Sequence, residues 1–313
     1  MAAPKISVLI PTYNYARFLP EALDSVLAQD FQDFELLVSD DQSTDESRDV
    51  LARYAAKDAR VRAVDQTKRL GMTGNWNWCL AQARGEYIKF LFGDDKLASP
   101  QALGKLAALL DTNPRATLAA SARLVLDDQS RVLETWDAFA QPGAHRGTDV
   151  ILRCLEENAN LIGEPSSVMF RRNAIGRGFS HDYRQLVDLE MWFALLEAGD
   201  FAFTSEPLGA FRRHAAQQTE VNKTNNLANS EHARLYWQYH RKPYLKALAS
   251  REALFRKLYL LKKDDISHPD SARVARDLRD EIGTFWYPFY WLRYKITRPF
   301  ENLFRALGKR SRR

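Results

Sequence analysis

Three short apolar runs limit the folds open to this chain more than any other feature. Each is cut off by a polar or acidic cluster and separated from the next by a helical pattern. Ile6-Ser7-Val8-Leu9-Ile10 is closed by Pro11 and followed by Thr12-Tyr13-Asn14, and Phe34-Glu35-Leu36-Leu37-Val38 runs into Ser39-Asp40-Asp41. The run from Tyr87 to Phe92 ends at Gly93-Asp94-Asp95. Between them, residues 16–29 carry Phe18, Leu19, Ala22, Val26 and Leu27 near helical spacing, and Ser43 with Glu46 has the spacing of a capping box ahead of a second helix. Residues 60–64 read as a further strand and 74–83 as a third helix. Strands alternating with helices imply an α/β chain with a mostly parallel, doubly wound sheet covered on both faces. Ligands of such sheets gather at the carboxyl ends of the strands, so the three polar clusters are expected to converge on one rim.

Beyond Asp111 the alternation loosens. Residues 117–126 and 131–136 read as a hairpin around Asp127-Asp128-Gln129-Ser130, and 148–157 as a helix with Thr148 as N-cap. A strand at 166–170, a helix at 188–198 stopped by Gly199 and two short strands at 201–203 and 208–212 complete an α+β half. No Pro/Gly/Ser linker separates it from the first half, so both are expected in one domain. From about Asn226 onward the chain is mostly helical and basic.

Composition excludes several classes. With 45% hydrophobic and 27% charged residues the chain is globular, and no apolar run is long enough to cross a bilayer. No signal peptide is visible at the start, and Cys79 and Cys154 show neither metal-ligand nor disulfide-framework spacing, which fits a reducing, cytoplasmic compartment. The net charge of +5 is local: residues 285–313 hold eight Lys/Arg and one acid, Glu301, whereas 1–284 hold 37 basic and 39 acidic groups. That distribution argues against a nucleic-acid partner and for an anionic surface at the C-terminal end.

Acidic pairs on a sheet rim suit few chemistries. Asp94-Asp95 reads either as a turn capping the helix that begins near Ser99 or as a divalent metal site. With a metal, the rim serves phosphotransfer to Asp, as in receiver domains, or the handling of a nucleoside diphosphate. Tyr13 favours the second, because a nucleotide base gains from an aromatic face and a receiver needs none.

Several segments together resemble the inverting glycosyltransferases of family 2, which have the A-type nucleotide-sugar fold. They are Ile6 to Asn14, Ser25-Val26-Leu27-Ala28-Gln29, Glu35 to Asp45, Gly71-Met72-Thr73-Gly74-Asn75-Trp76-Asn77 and Ala83 to Asp95, in the family's order over residues 5 to about 110. The resemblance implies that Pro11, Thr12, Tyr13 and Asn14 line the nucleotide, that Asp41 accepts a base N–H, and that Asp40 turns into the strand–helix turn. It places Asp94 on the ribose and Asp95 on Mg²⁺ or Mn²⁺, with Asn75 either at the nucleotide or capping its helix. Many members carry Asp-x-Asp where this chain has Phe92-Gly93-Asp94.

Inverting transfer also needs a base for the acceptor hydroxyl. Leu186 to Phe193 resembles the family's acidic segment before a helical Trp; aligned on Trp192, it makes Asp188 the base, with Val187 where a Glu is usual. Leu189, Trp192, Phe193 and Leu196 form the buried stripe of that helix, while Glu190 shares the solvent-like side with Glu197 and is a lesser candidate. His214 resembles a position that meets the diphosphate or the metal. Gly163 to Arg171 resembles the border of the acceptor cleft, with His181 and Asp182 on the loop beyond.

The expectation is therefore a metal-dependent inverting hexosyltransferase, moving a sugar from a nucleoside-diphosphate donor, with UDP the favoured nucleotide, to a hydroxyl of a glycan or lipid-linked glycan in bacterial surface polysaccharide synthesis. The alternatives are a catalytically silent member of the fold acting as a binding or assembly subunit, and a receiver-like switch. Residues 1–110 would form the nucleotide-sugar half, 111–225 the acceptor-side half and 226–313 a helical extension. Nine aromatics between Phe285 and Phe304, flanked by Arg and Lys, suggest that 285–313 touches the cytoplasmic face of a membrane; the other reading is a helix packed on the catalytic domain or an oligomer contact.

Overall fold

The computed structural model describes residues 3–139, 141–214, 217, 227–263 and 269–296. It divides into two compact units, Met1–Val221 and Asn222–Arg313.

In the first unit, strands β1 (Ile6–Thr12), β2 (Phe34–Asp40), β3 (Val61–Asp65) and β4 (Tyr87–Phe90) are parallel and lie in the order β3-β2-β1-β4. Helices α1 (Leu19–Leu27), α2 (Ser47–Lys57) and α3 (Met72–Gln82) make the crossovers. The chain moves outward from β1 to β3 and then returns past β1 to β4, so right-handed connections put α3 on the opposite face from α1 and α2. Burial agrees. Val8, Ile10, Leu36 and Val38 pack in one core with Leu19, Leu23 and Val26 of α1 and Val50 and Leu51 of α2. Phe90 meets Trp76 of α3, their ring centroids 6.3 Å apart. With all seven residues of β1 and of β2 buried, truncating Leu36 to Ala would cost about 2–5 kcal/mol.

The reversal in strand order falls between β1 and β4, and opens a crevice at their carboxyl ends. Beyond it the sheet turns mixed. The strand β5 (Lys96–Leu97) and helix α4 (Ala102–Thr112) precede β6 (Ala116–Leu126), which forms the expected hairpin with β7 (Val132–Trp136). After β8 (Gly143–His145) and α5 (Gly147–Glu157), a 3-10 turn at Pro165–Ser167 leads into β9 (Val168–Arg171). Helix α6 (Val187–Ala198) and β10 (Asp200–Arg212) close the sheet, whose order continues β4-β9-β6-β10-β5. The expected α/β class with a mostly parallel first half and an α+β second half is the fold observed.

Local differences have local causes. β1 continues through Pro11 to Thr12 because Leu9 O faces β4 and Thr12 O faces β2. Strand parity then turns Pro11 toward β4, where the ladder has already ended at Leu9 opposite Phe90. The capping box does not form. Ser43 Oγ accepts the Asn14 N–H at 2.8 Å, and Asp45 instead accepts the N–H of Ser47 at 3.0 Å ahead of α2. Arg146, not Thr148, is the N-cap of α5. The two short strands expected at 201–203 and 208–212 are one strand, β10, which absorbs Ser205-Glu206-Pro207 in register shifts against β6.

The second unit contains α7 (Leu227–Tyr239), a 3-10 segment (Pro243–Ala249), α8 (Arg251–Lys263), α9 (Pro269–Ile282) and a further helix α10 over 286–296. Leu235, Leu254, Leu258, Val274, Leu278 and Ile282 are buried in it, and buried His240 meets Glu281 at 3.1 Å. No helix among the described residues is long and apolar enough to cross a membrane. Cys79 and Cys154 are both buried and free.

Candidate functional site

The rim is assembled by strand ends. Thr12 and Asp40 are register partners, and Asp41 follows with its N–H on Thr12 O at 2.9 Å. Asp40 is fully buried and its Oδ1 accepts the Ser43 N–H at 2.7 Å, the turn role expected of it. Asp41 accepts the backbone N–H groups of Leu70 and Gly71 at 2.6 and 2.9 Å. That holds the loop before α3 over the rim and puts Arg69 on Tyr13, with the guanidinium 3.6 Å from the ring centroid and NH1 2.7 Å from the hydroxyl. Tyr13 thus already has a planar cation against its face. Asn14 sits at a positive φ of 58° and accepts the Thr44 N–H, which fixes the turn after β1.

Asn75 does not cap α3, whose N-cap is Gly71. Its amide is buried, accepting from Ser39 Oγ and donating to Ser39 O at 3.0 Å. Its contacts tie α3 to the end of β2.

The Asp94-Asp95 turn is held by β5, which pairs with β10 and so brings Arg212 against the acids. Asp95 is 1% exposed. Its Oδ1 accepts the Arg212 N–H at 2.8 Å and its Oδ2 the Ser166 hydroxyl at 2.5 Å. Burial first, then the Asp94 charge, pushes its carboxyl well above the usual range. Asp94 Oδ2 lies 3.0 Å from His214 Nε2. Tyr15, its hydroxyl acidity suppressed by burial and by Asp94, and Phe18, 4.8 Å from the imidazole, enclose this pair. A Cβ on Gly93 would come within 2.9 Å of Thr12 Oγ1, so only glycine lets the turn lie this close to β1. The capping alternative for Asp94-Asp95 is not what forms: α4 has Gln101 as N-cap and no side-chain cap.

Two buried cations organise this end. Arg212 is 0% exposed and reaches Asp94 O, Asp127 O, Ser130 Oγ and Glu21. Lys89, also 0% exposed, donates to Phe90 O, Pro165 O and Ser166 O. Neither was singled out from sequence, although a Lys inside a strand buried on both faces is itself a signal, since it must find partners. Arg212 carries no such mark, because Arg213 beside it is exposed and only the register of β10 tells them apart.

Asp188 opens α6. Its Oδ1 accepts the Leu189 N–H at 2.8 Å and its Oδ2 the Asn160 amide at 3.1 Å. Burial raises its pKa to about 7, with the nearby Glu164 charge adding and the Arg123 charge opposing. Asn160 also holds Gly163, whose carbonyl accepts the Trp192 indole N–H at 3.0 Å. Glu164 pairs with buried Arg123 at 2.5 Å. From there the chain passes through Pro165 to Ser166, which meets Asp95, so one seven-residue stretch, 160–166, touches both the base candidate and the acid pair. Glu164 and Arg123 are further site residues that periodicity did not reveal.

Glu190 differs from expectation. It is 4% exposed and paired with Arg177, so it faces the loop before α6 rather than solvent. His181 and Asp182 are exposed on that loop. Phe92 stacks on Trp76, centroids 4.8 Å apart, which puts an aromatic plug where the resemblance implies an acid.

A cleft of about 440 Å³ lined by Lys5, Asp33, Arg84, Glu86 and Arg172 lies at the opposite, amino-terminal end of the sheet, away from these groups.

The strand-order reversal thus carries an acid pair with a histidine, and a separate raised carboxyl lies across the 160–166 stretch. The family model for Glycosyl transferase family 2 matches residues 7–179, and the chain belongs to that family. Over 108 residues it is 40% identical to the GalNAc(5)-diNAcBac-PP-undecaprenol beta-1,3-glucosyltransferase of Campylobacter jejuni, an overlap of 34% of each chain. Its fold is that of S. aureus TarS residues 1–349 in complex with UDP-GlcNAc, with a TM-score of 0.67 over 89% of this chain and 81% of that one at 19% identity. It is also similar to the mannosyltransferase PcManGT of Pyrobaculum calidifontis in complex with GDP-Man and Mn²⁺, with a TM-score of 0.55, 18% identity and coverage of 96% and 88%.

Proposed function

We propose that this glycosyltransferase moves a hexose with inversion from a nucleoside-diphosphate donor, UDP-linked, to a hydroxyl of a lipid-linked glycan in bacterial surface polysaccharide synthesis. The observation that carries this reading is Asp188: a carboxyl raised to about 7 by burial, joined through 160–166 to the acid pair at the strand-order reversal. A base whose pKa lies near working pH combines a useful ionised fraction with proton affinity.

Residues 1–110 hold the donor in this reading and 111–225 present the acceptor. Tyr13 and the Pro11–Asn14 turn take the base, Asp41 accepts its N–H, and Asp94 serves the ribose and diphosphate end. The residues present fit a divalent cation: Thr12 Oγ1 is buried without a partner, two carboxylates adjoin, and His214 Nε2 is directed at Asp94. Among the described residues no cluster of three His, Cys, Asp or Glu side chains is preassembled, so phosphate oxygens and water would have to complete the shell of Mg²⁺ or Mn²⁺. Asp95, with His214 as the lesser candidate, would hold it, and when bound it would offset the charge of the departing diphosphate. The Mn²⁺ in the PcManGT complex and the undecaprenol-linked acceptor in the Campylobacter relative's name support these choices.

Asp188 then removes the acceptor hydroxyl proton as that oxygen bonds the anomeric carbon. The bond from that carbon to the diphosphate oxygen breaks, and its electrons leave with the nucleoside diphosphate. Incubating UDP-, GDP- and dTDP-hexoses with Mn²⁺ and assaying nucleoside diphosphate release tests the proposal. Release abolished by Asp188→Asn supports it; release from none of the donors, or unchanged in that variant, refutes it.

A further inference from the structure

Helix α10 is amphipathic in the reverse sense to a packed helix. Its inner side is aromatic: Tyr287, Tyr290 and Tyr294 converge on Phe255 of α8, with centroids 5.8, 5.9 and 6.0 Å away. Those contacts fix the rotation of the helix. Its outer side is then Phe285, Phe289, Leu292 and Ile296, at i, i+4, i+7 and i+11, and these are 79, 53, 57 and 59% exposed. Four large apolar side chains in one uninterrupted stripe are more than scattered surface hydrophobes.

The edges of the stripe say what it meets. One edge carries Trp286 and Arg293, the other Trp291 and Lys295, with the Lys295 ammonium 3.9 Å over the Trp291 ring. All four are exposed, and no acid occurs between Phe285 and Ile296. Beyond Ile296 lie six further Arg/Lys, from Arg298 to Arg313, against Glu301. An apolar keel edged by indoles and cations is the chemistry of an acyl–headgroup boundary, where apolar side chains enter the hydrocarbon, indoles sit among the headgroups and cations meet lipid phosphates. Cations beside an apolar stripe match the phosphates of an anionic bilayer, and indoles at its edges match the headgroup layer.

We infer that the outer face of α10 docks the chain in the plane of an anionic bilayer, with Phe285, Phe289, Leu292 and Ile296 inserted and Lys295 on lipid phosphates, while Arg293 at the other edge pairs with Glu252 at 3.3 Å. The inference stands apart from the transferase reading, because the surface needs neither donor nor acceptor.

The test is co-sedimentation of the full chain with phosphatidylcholine vesicles, with and without phosphatidylglycerol. Wild type pellets with the phosphatidylglycerol vesicles and less at high salt. F289S/L292S, which changes no charge and removes only exposed apolar groups, lowers the partition coefficient roughly tenfold or more while keeping the thermal unfolding midpoint. L292S alone gives an intermediate loss. Failure of the wild type to pellet, equal pelleting of F289S/L292S, or binding indifferent to phosphatidylglycerol overturns the inference. So does self-association of the wild type, without vesicle binding, that F289S/L292S abolishes, since the face would then be a contact between copies.

Discussion

Lys89 Nζ donates to the Ser166 carbonyl oxygen at 2.6 Å, and the hydroxyl of the same serine donates to Asp95. A buried ammonium on β4 thereby sets the turn that leads toward Asp188 and, through one side chain, the orientation of a rim acid. Its other hydrogen bonds go to Phe90 O and Pro165 O, so all three N–H donors have a carbonyl. Lys89→Met keeps the stem but removes three buried hydrogen bonds, with Pro165 O still accepting the Val168 N–H, and costs about 2–4 kcal/mol. Ser166→Ala removes only the hydroxyl's bonds and costs about 1 kcal/mol. Urea unfolding of both variants checks the order; equal losses would mean that Lys89 contributes no more than the serine hydroxyl.

Phe92→Asp writes the Asp-x-Asp pattern into this chain, yet it is expected to damage rather than improve it. Phe92 stacks on Trp76, which also meets Phe179 edge-on at 5.1 Å, and the nearby Asn77 amide is already spent on the Phe179 backbone. The variant loses about 2–4 kcal/mol by truncation of the aromatic contact and desolvation of the acid. Calorimetry with and without Mn²⁺ reads it. A midpoint that rises above wild type on adding Mn²⁺ would show instead that the position is an unfilled ligand site.

The β1–β4 half and its rim were legible because β1, β2 and β4 are short, mostly apolar runs each ended by its own polar cluster, so length and chemistry agree. The second half was less so. Residues 200–212 look like two strands because Ser205-Glu206-Pro207 interrupts them, and only pairing with β6 carries the strand across. Glu190 falls on the polar side of the α6 wheel, but Arg177, from a loop 13 residues earlier, closes over it. Helical spacing holds no information about a loop that folds back. Ser43 had the capping spacing and lost that role to a long-range bond from Asn14, a contact between the ends of two strands. The Arg123–Glu164 pair likewise joins β6 to the turn before β9, and no local pattern announces it.

The His214 and Asp94 side chains are buried against Tyr15 and Phe18 at one edge of the acid cluster, and exchanging His214 and Asp95 in turn should separate metal affinity from folding. His214→Ala leaves α4, β5 and the Arg212 bonds in place. It is expected to weaken Mn²⁺-dependent stabilisation by UDP roughly tenfold in apparent metal affinity, with a smaller drop in the midpoint of the chain without ligands than Asp95→Asn gives. Asp95→Asn should behave differently: its two protein hydrogen bonds are structural, so stability and metal response fall together. Thermal shift titrations over Mn²⁺ concentration at fixed UDP distinguish them. A His214→Ala curve that overlays wild type removes the histidine from the donor site.

Asp188 joins catalysis to stability with a definite sign. Its folded pKa of about 7 lies above the ordinary carboxylate value of 3.8, so the folded chain binds a proton that the unfolded chain has released between those two pH values. The stability associated with this group is fully present below about pH 4, declines as pH rises and is gone above about pH 7. The activity has the opposite slope, because only the carboxylate accepts the acceptor proton, so kcat/KM should climb tenfold per pH unit below 7 and level off above it. Asp188→Asn removes both dependences. It should lower kcat roughly a thousandfold, and at pH 8 it should unfold at higher urea concentration than wild type, the difference vanishing toward pH 4. A variant that loses activity and is also less stable at pH 8 would assign Asp188 to the folding of α6 through the Leu189 N–H rather than to proton transfer.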